Sequence, residues 1–217
     1  MAKKLKLHVW VGHRSLCALL TGKVDGVSYS IRDAASSDLA AAAHTLALAF
    51  DQYPWTRWSI PHDHYTARLE KLQRIYLEHG LAHGLVLVDD AVQGVGAFLP
   101  PDAPEPPEAA QVRIAELHGD RFSILASAEL PIKPSNAWTL ATLGVRPSEG
   151  GKGLGSAIIR DGLRQIRGIG SVVALETSDD RNVRLYQRHG FDTYATAQVP
   201  GGPIVHSMSC DLLASEA

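Results

Sequence analysis

Cysteine is scarce in this 217-residue chain: Cys17 and Cys210 are the only two and stand near opposite ends, so neither a disulfide framework nor a cysteine-rich metal site is signalled. No metal ligand set is therefore expected, and a reducing, cytoplasmic setting is. A surplus of charge is missing too. Lys and Arg number 21 against 23 Asp and Glu, giving a formal net charge of -2 and a pI near 6.5. Without a basic excess to follow a phosphodiester backbone, nucleic acid is not an expected partner. Long apolar runs are absent from the N-terminal region, where residues 7–11 are soon followed by His13 and Arg14. That run is too short to cross a bilayer, and Leu16-Cys17 lacks the small residues of a lipoprotein cleavage site, so no membrane partner is expected. There is no internal repeat, and the only biased tract holds Pro100, Pro101, Pro104, Pro106 and Pro107.

What is present suits a single enzyme-sized core. At 45% apolar content, 217 residues bury one full domain, read as 26–217 with an extension of open role over 1–25. Alternation over 28–32 predicts a first strand. Ser36-Ser37-Asp38 then offers an N-cap to a helix carrying Leu39, Ala42, Ala43, Leu46, Ala49 and Phe50 on one face. Tyr53-Pro54 ends it. A second helix is expected over 64–78 with Gly80 and Gly84 at its exit, a hairpin over 85–88 and 92–99, and a third helix over 109–128. The proline tract between them reads as an active-site connection rather than a domain linker.

The most informative segment runs from Trp138 to Ile159. An apolar strand over 138–145 leads into Gly150-Gly151-Lys152-Gly153-Leu154-Gly155, and Ser156-Ala157-Ile158-Ile159 opens a helix whose core face is Ile159, Leu163 and Ile166. Glycines let the backbone close on a ligand, and the N–H groups of such a turn converge on phosphate. Three ligand classes use this order. A nucleoside-triphosphate loop needs Ser or Thr after its lysine, and Lys152 is followed by Gly153. A dinucleotide turn needs a third glycine where Ser156 stands. The coenzyme A pyrophosphate loop is the third class.

Downstream, the strand Val172-Val173-Ala174-Leu175-Glu176 precedes Asn182, Leu185, Tyr186, Gly190 and Phe191. With Val145, Pro147 and the glycine turn, this series resembles the GNAT superfamily of N-acetyltransferases over roughly residues 28–212. Within that superfamily the segments 140–147, 151–157 and 175–178, with Ala49-Phe50 and Tyr53-Pro54, are similar to puromycin N-acetyltransferases. The resemblance implies an α/β fold: one GNAT-like domain whose mixed, mostly antiparallel sheet splays at the acetyl-coenzyme A strand, with helices on both faces. It implies acetyl-coenzyme A as cosubstrate. The backbone of Leu143, Gly144 and Val145 would hold the pantetheine arm, and Gly151, Lys152, Gly153, Leu154, Gly155 and Ser156 the pyrophosphate. One departure stands out: the family commonly carries Arg or Gln two residues before Lys152, where this chain has Gly150, so a side-chain contact to the cofactor is lost while the backbone contacts remain.

Acetyl transfer to an amine needs a proton for the departing thiolate and a base for the amine. Tyr186 lies one helical turn after Asn182, on the same side of the helix, which makes Tyr186 the expected acid and Asn182 a cofactor contact. Taken alone, Tyr186 also reads as a helix tyrosine packing beside Leu185. Glu176 is the first choice of base or acceptor contact, with Glu116 and His118 behind it; His118 reads more simply as a solvated helix residue. Tyr53, Trp55 and Trp138 are the expected acceptor wall, with Trp58 a further aromatic. The expected reaction is direct acetyl transfer, within a ternary complex, to the primary amine of a small molecule such as puromycin or another aminonucleoside, a resistance activity, by a monomer or homodimer. A protein lysine or N-terminal acetyltransferase and a non-catalytic acyl-coenzyme A sensor stay open as alternatives.

Overall fold

The computed structural model describes residues 29–213, so the 1–25 extension and Cys17 lie outside the described residues. Seven strands form one sheet in the order β1-β2-β3-β4-β5-β7-β6. They are β1 Ile31–Asp33, β2 Leu85–Asp89, β3 Gly94–Leu99, β4 Trp138–Val145, β5 Val172–Thr177, β6 Asp192–Gln198 and β7 Ile204–Asp211. Every neighbouring pair is antiparallel except β4 and β5. This is the mixed, mostly antiparallel sheet expected.

The helices are α1 Leu39–Phe50, α2 Pro54–Ser59, α3 Tyr65–His83, α4 Glu108–His118, α5 Phe122–Ser127, α6 Leu154–Ile166 and α7 Asp180–Gln187. They cover both faces of the sheet. A Cβ on Gly144 of β4 would meet Leu46 and Ala49 of α1 at 2.7 and 2.9 Å, while one on Gly96 of β3 would meet Ile158 of α6 at 2.5 Å. Gly96 is opposite Leu143, the neighbour of Gly144, and adjacent residues of a strand face opposite ways. One core therefore lies beneath α1 and α3, and another between the sheet and α6 with α7.

Three element boundaries differ from the sequence reading, each for a local reason. Proline begins a helix here instead of only ending one: Pro54 occupies the first position of α2, where no N–H is needed. The α3 helix runs past Gly80, which is enclosed because the helix crosses β2 and β3 so closely that a Cβ would sit 3.2 Å from Val86. The single helix expected over 109–128 is broken at Gly119, whose φ of 55° reverses the chain into a short 3-10 turn before α5. The cap expected within Ser36-Ser37-Asp38 falls on Asp38, the residue before α1, but its carboxylate turns back to accept from the Ala35 N–H at 2.8 Å and pairs with Arg32 at 2.7 Å.

Two features of β4 set up the site. Ala97 of β3 faces Thr142 while its neighbour Phe98 faces Leu140, so Ala141 is an extra residue, a β-bulge. The bulge lets Trp138 and Leu140 share a core with Leu143 and Val145, which simple alternation would send to the other face. Second, β4 pairs with β5 only at Trp138 with Val173 and Thr139 with Ala174. Beyond Thr139 the two parallel strands part, and the β5-facing edge of β4 has no strand partner among the described residues.

Behind the splay, the packing of α6 on β3 tolerates no side chain at Gly162, where a Cβ would lie 2.2 Å from the Phe98 ring. Gly162→Ala should therefore destabilise the fold by about 2 kcal/mol, lowering the thermal midpoint by on the order of 5 °C. An unchanged midpoint would contradict this packing.

Candidate active site

The glycine turn leaves β4 and enters α6 through two residues in the left-handed region, Gly151 (φ 77°) and Gly153 (φ 93°). A side chain at either would be strained, and the space beside Gly153 is open, with nothing within 4 Å of where a Cβ would point. None of the N–H groups over 151–156 has a carbonyl or side-chain acceptor among the described residues. Six donors at the N-terminus of a 13-residue helix form a ready seat for an anion. Lys152 is exposed and holds Glu149 at 3.2 Å, so its charge flanks the turn. The Ser156 hydroxyl is 3.0 Å from Nε2 of His189, an imidazole whose pKa is lowered by burial and by Arg160 and Arg188.

Asn182 and Tyr186 sit on α7, which Asp179 caps by accepting the Arg181 N–H at 2.8 Å. They lie one turn apart on the helix, as their spacing predicts, and both are buried. The Asn182 side-chain amide donates to Thr177 Oγ1 at 3.3 Å, at the end of β5. Tyr186 packs edge-on to Phe191, ring centroids 5.7 Å apart, and its hydroxyl is buried with no hydrogen-bond partner. Burial, and then the nearby Tyr53, raise its pKa well above the ordinary phenol value. The hydroxyls of Thr142 in β4 and Ser178 after β5 are likewise buried and unpartnered. Buried polar atoms normally find partners, and of five such orphans among the described residues, Gln73 Oε1 and Ser207 Oγ being the other two, these three lie on the strands and helix bordering the splay. The open edge of β4, the free N–H groups and these hydroxyls fit the amides and phosphates of coenzyme A.

A cavity of about 650 Å³ adjoins the splay. Its walls are the proline tract after β3, the segment leading into β4, Thr139 and Ala141 of β4, and Leu175 and Glu176 of β5. The proline tract thus lines this cavity. Glu176 is half-buried in this wall. Glu105 and Glu129 add two carboxylates, and Lys133, the one Lys or Arg in the lining, donates to Thr139 Oγ1 at 2.6 Å. His79 of α3 completes the titratable lining and was not foreseen, since one imidazole among ten in the sequence carries no pattern.

The aromatic residues lie elsewhere. Trp55 is buried in α2, 4.8 Å from the Trp58 ring centroid, and lines a separate cavity of about 30 Å³. Trp138 packs against Gly170, where a Cβ would come within 2.7 Å of its indole. Tyr53 is buried, and its hydroxyl accepts the Ser178 N–H at 2.7 Å and bonds Thr177 Oγ1 at 3.1 Å. None of the three is in the wall of the large cavity. His118 is buried rather than solvated; its Nδ1–H donates to the Ser59 carbonyl at 2.7 Å, and burial lowers its pKa. Glu116 is exposed and pairs with Arg113 at 2.6 Å.

No group of three or more metal-ligating side chains occurs among the described residues, and none of their helices is long and apolar enough to cross a membrane. Residues 47–191 match the model of the acetyltransferase (GNAT) family. Solved structures share the fold at low identity. A histone acetyltransferase HPA2-related acetyltransferase from Corynebacterium glutamicum superposes with a TM-score of 0.67 at 24% identity, covering 85% of this chain and 97% of its own. Arylalkylamine N-acetyltransferase 2 from Aedes aegypti gives 0.63 at 13% identity over 86% and 100%. The polyamine N-acetyltransferase of Drosophila melanogaster gives 0.59 at 16% identity over 85% and 100%.

Proposed function

The chain belongs to the GNAT acetyltransferase family, and from that premise we propose that it acetylates the primary amine of a small molecule, by direct transfer from acetyl-coenzyme A in a ternary complex. The observation that carries the reading is the 650 Å³ cavity, which adjoins the β4–β5 splay and holds Glu176 in its wall. Its volume lies in the ordinary range for small-molecule sites. Walls of proline and aliphatic side chains suit the apolar body of an amine, and three carboxylates against one lysine favour its arrival as a cation. Two of the fold neighbours are named for small amines, a polyamine and an arylalkylamine, which supports the same substrate class.

Acetyl-coenzyme A supplies the activated thioester. The N–H groups over 151–156 bind its diphosphate, and the free edge of β4 over 143–145 pairs with the pantetheine arm. Glu176 takes the ammonium proton, directly or through water, leaving the nitrogen lone pair free to attack. The nitrogen bonds the thioester carbonyl carbon, the C–S bond breaks as the Tyr186 hydroxyl gives its proton to the departing sulfur, and the second proton that the nitrogen sheds as the amide forms returns to the phenolate through water. Cys210, the one cysteine among the described residues, is buried, and that burial pushes its thiol pKa up, which makes it a poor nucleophile for a covalent acetyl-enzyme.

Puromycin or a similar aminonucleoside, acetylated on its free α-amino group, is the acceptor we propose first, which would make this a resistance enzyme. Thiol release from acetyl-coenzyme A should be followed with puromycin, an arylalkylamine, a polyamine and lysine or N-terminal peptides in parallel. The reading expects release that depends on a small amine, fastest with puromycin. Release with another small amine keeps the chemistry and removes the aminonucleoside. Release with peptides alone contradicts the small-molecule reading, and cofactor binding without release from any amine contradicts transfer altogether.

A further inference from the structure

We propose that Tyr53 is a positioning residue for Tyr186: its phenol, reaching from the α1–α2 layer to the end of β5, fixes the corner from which the acid-bearing helix springs. This rests on the reading of Tyr186 as the acid. Tyr53 precedes Pro54, with extended backbone angles that end the α1 turn and start α2, and its ring packs on Phe50 with centroids 5.6 Å apart. From there the hydroxyl bridges 125 residues of sequence to accept the Ser178 N–H at 2.7 Å. It also bonds Thr177 Oγ1 at 3.1 Å, and the same oxygen takes the Asn182 amide at 3.3 Å.

The chain Tyr53–Thr177–Asn182 therefore enters α7 one turn before Tyr186. The Tyr186 hydroxyl has no hydrogen-bond partner to aim it, so its place is inherited from the position of α7 and the contact with Phe191. An acid that must meet a sulfur within hydrogen-bond reach loses rate steeply when displaced by about 1 Å. Tyr53 does this work from inside the protein: it is buried and absent from the cavity wall, so it acts through α7 rather than by touching the acceptor. Burial raises its own pKa, which keeps the hydroxyl intact as a hydrogen-bonding group across the working pH range.

The test is a double-mutant cycle of Tyr53→Phe and Tyr186→Phe, with Thr177→Val as an independent break in the same chain of hydrogen bonds. Phenylalanine keeps the ring packing and removes only the hydroxyl. Tyr53→Phe should lower kcat by about tenfold while KM for acetyl-coenzyme A and for the amine each move by less than about twofold. In the Tyr186→Phe background, adding Tyr53→Phe should cost less than about twofold, because the group it positions is gone. Thr177→Val should repeat the pattern, and decides the matter if Tyr53→Phe does not fold.

An equal loss in both backgrounds, or a loss confined to KM of the amine, overturns the proposal. It leaves the acid assignment standing. A Tyr186→Phe enzyme with full kcat removes the acid assignment and this proposal together, and so separates the two failures.

Discussion

Tyr186→Phe is expected to lower kcat by about 100-fold or more while leaving the protein as stable as before, or slightly more stable. The two halves of this expectation have one cause. The phenol oxygen is buried without a hydrogen-bond partner, so the folded protein bears the cost of dehydrating it, typically about 1–3 kcal/mol, with no return in the absence of ligand. Phenylalanine fills the same space against Phe191 and removes that cost. What it also removes is the proton for the leaving thiolate, a contribution of general-acid type usually worth about 10²–10⁴ in rate. A phenol of ordinary pKa about 10 keeps its proton throughout the physiological pH range, and burial pushes this one higher still. Steady-state kinetics beside urea unfolding checks both halves. Unaltered turnover would remove Tyr186 as the acid, and a large loss of stability would mean that its hydroxyl has a structural partner.

Glu176→Gln should reduce kcat/KM for the amine by about tenfold at neutral pH, with the gap narrowing as the pH rises. The sign follows from the substrate. An α-amino group has an ordinary pKa near 7.7–8.0, so below that range most of the amine is protonated and needs a base, whereas above it the nucleophilic form is already abundant. A variant that lacks the base therefore recovers in alkaline solution. If Glu176 serves only to attract the cation, the loss will sit in KM and will not narrow in this way. A change smaller than about twofold across the pH range would exclude both roles.

Much of the site's frame is legible in the residues. The apolar run 138–145 gave β4 with its observed limits, and the glycine turn gave the entry to α6 within two residues, at Leu154 rather than Ser156, because a buried strand and a turn needing φ above zero both leave strong local signals. The pairing of Asn182 with Tyr186 on one buried helix face followed from a spacing of four. The rest depends on contacts between distant segments. The bulge at Ala141 arises from register against β3 and has no mark in the alanine itself. The wall formed by 128–137 begins where α5 ends at Ser127, and nothing in its residues marks it as facing β4 and β5 across a cavity.

The aromatic residues were the least legible. Tyr53, Trp55 and Trp138, expected as the acceptor wall, are packed into the protein instead, and this depends on where α2 and Gly170 come to rest. The partnership of Tyr53 with Ser178, 125 residues away, is a tertiary fact of the same sort. The segment 175–178 stood out in the sequence for Glu176, while Thr177 and Ser178, which tie that strand to the helical layer, carried no signal of their own.

The central claim is direct transfer of one acetyl group to a small amine, and the most direct test weighs both protein and product. The purified enzyme should be incubated with acetyl-coenzyme A, first alone and then with the best amine from the thiol-release panel, and both solutions examined by intact-mass spectrometry. The account predicts an amine carrying one acetyl group, free thiol in equal amount, and a protein of unchanged mass in both solutions. A protein that gains an acetyl group which the amine then removes, or an amine that stays unmodified while thiol is released, would contradict it.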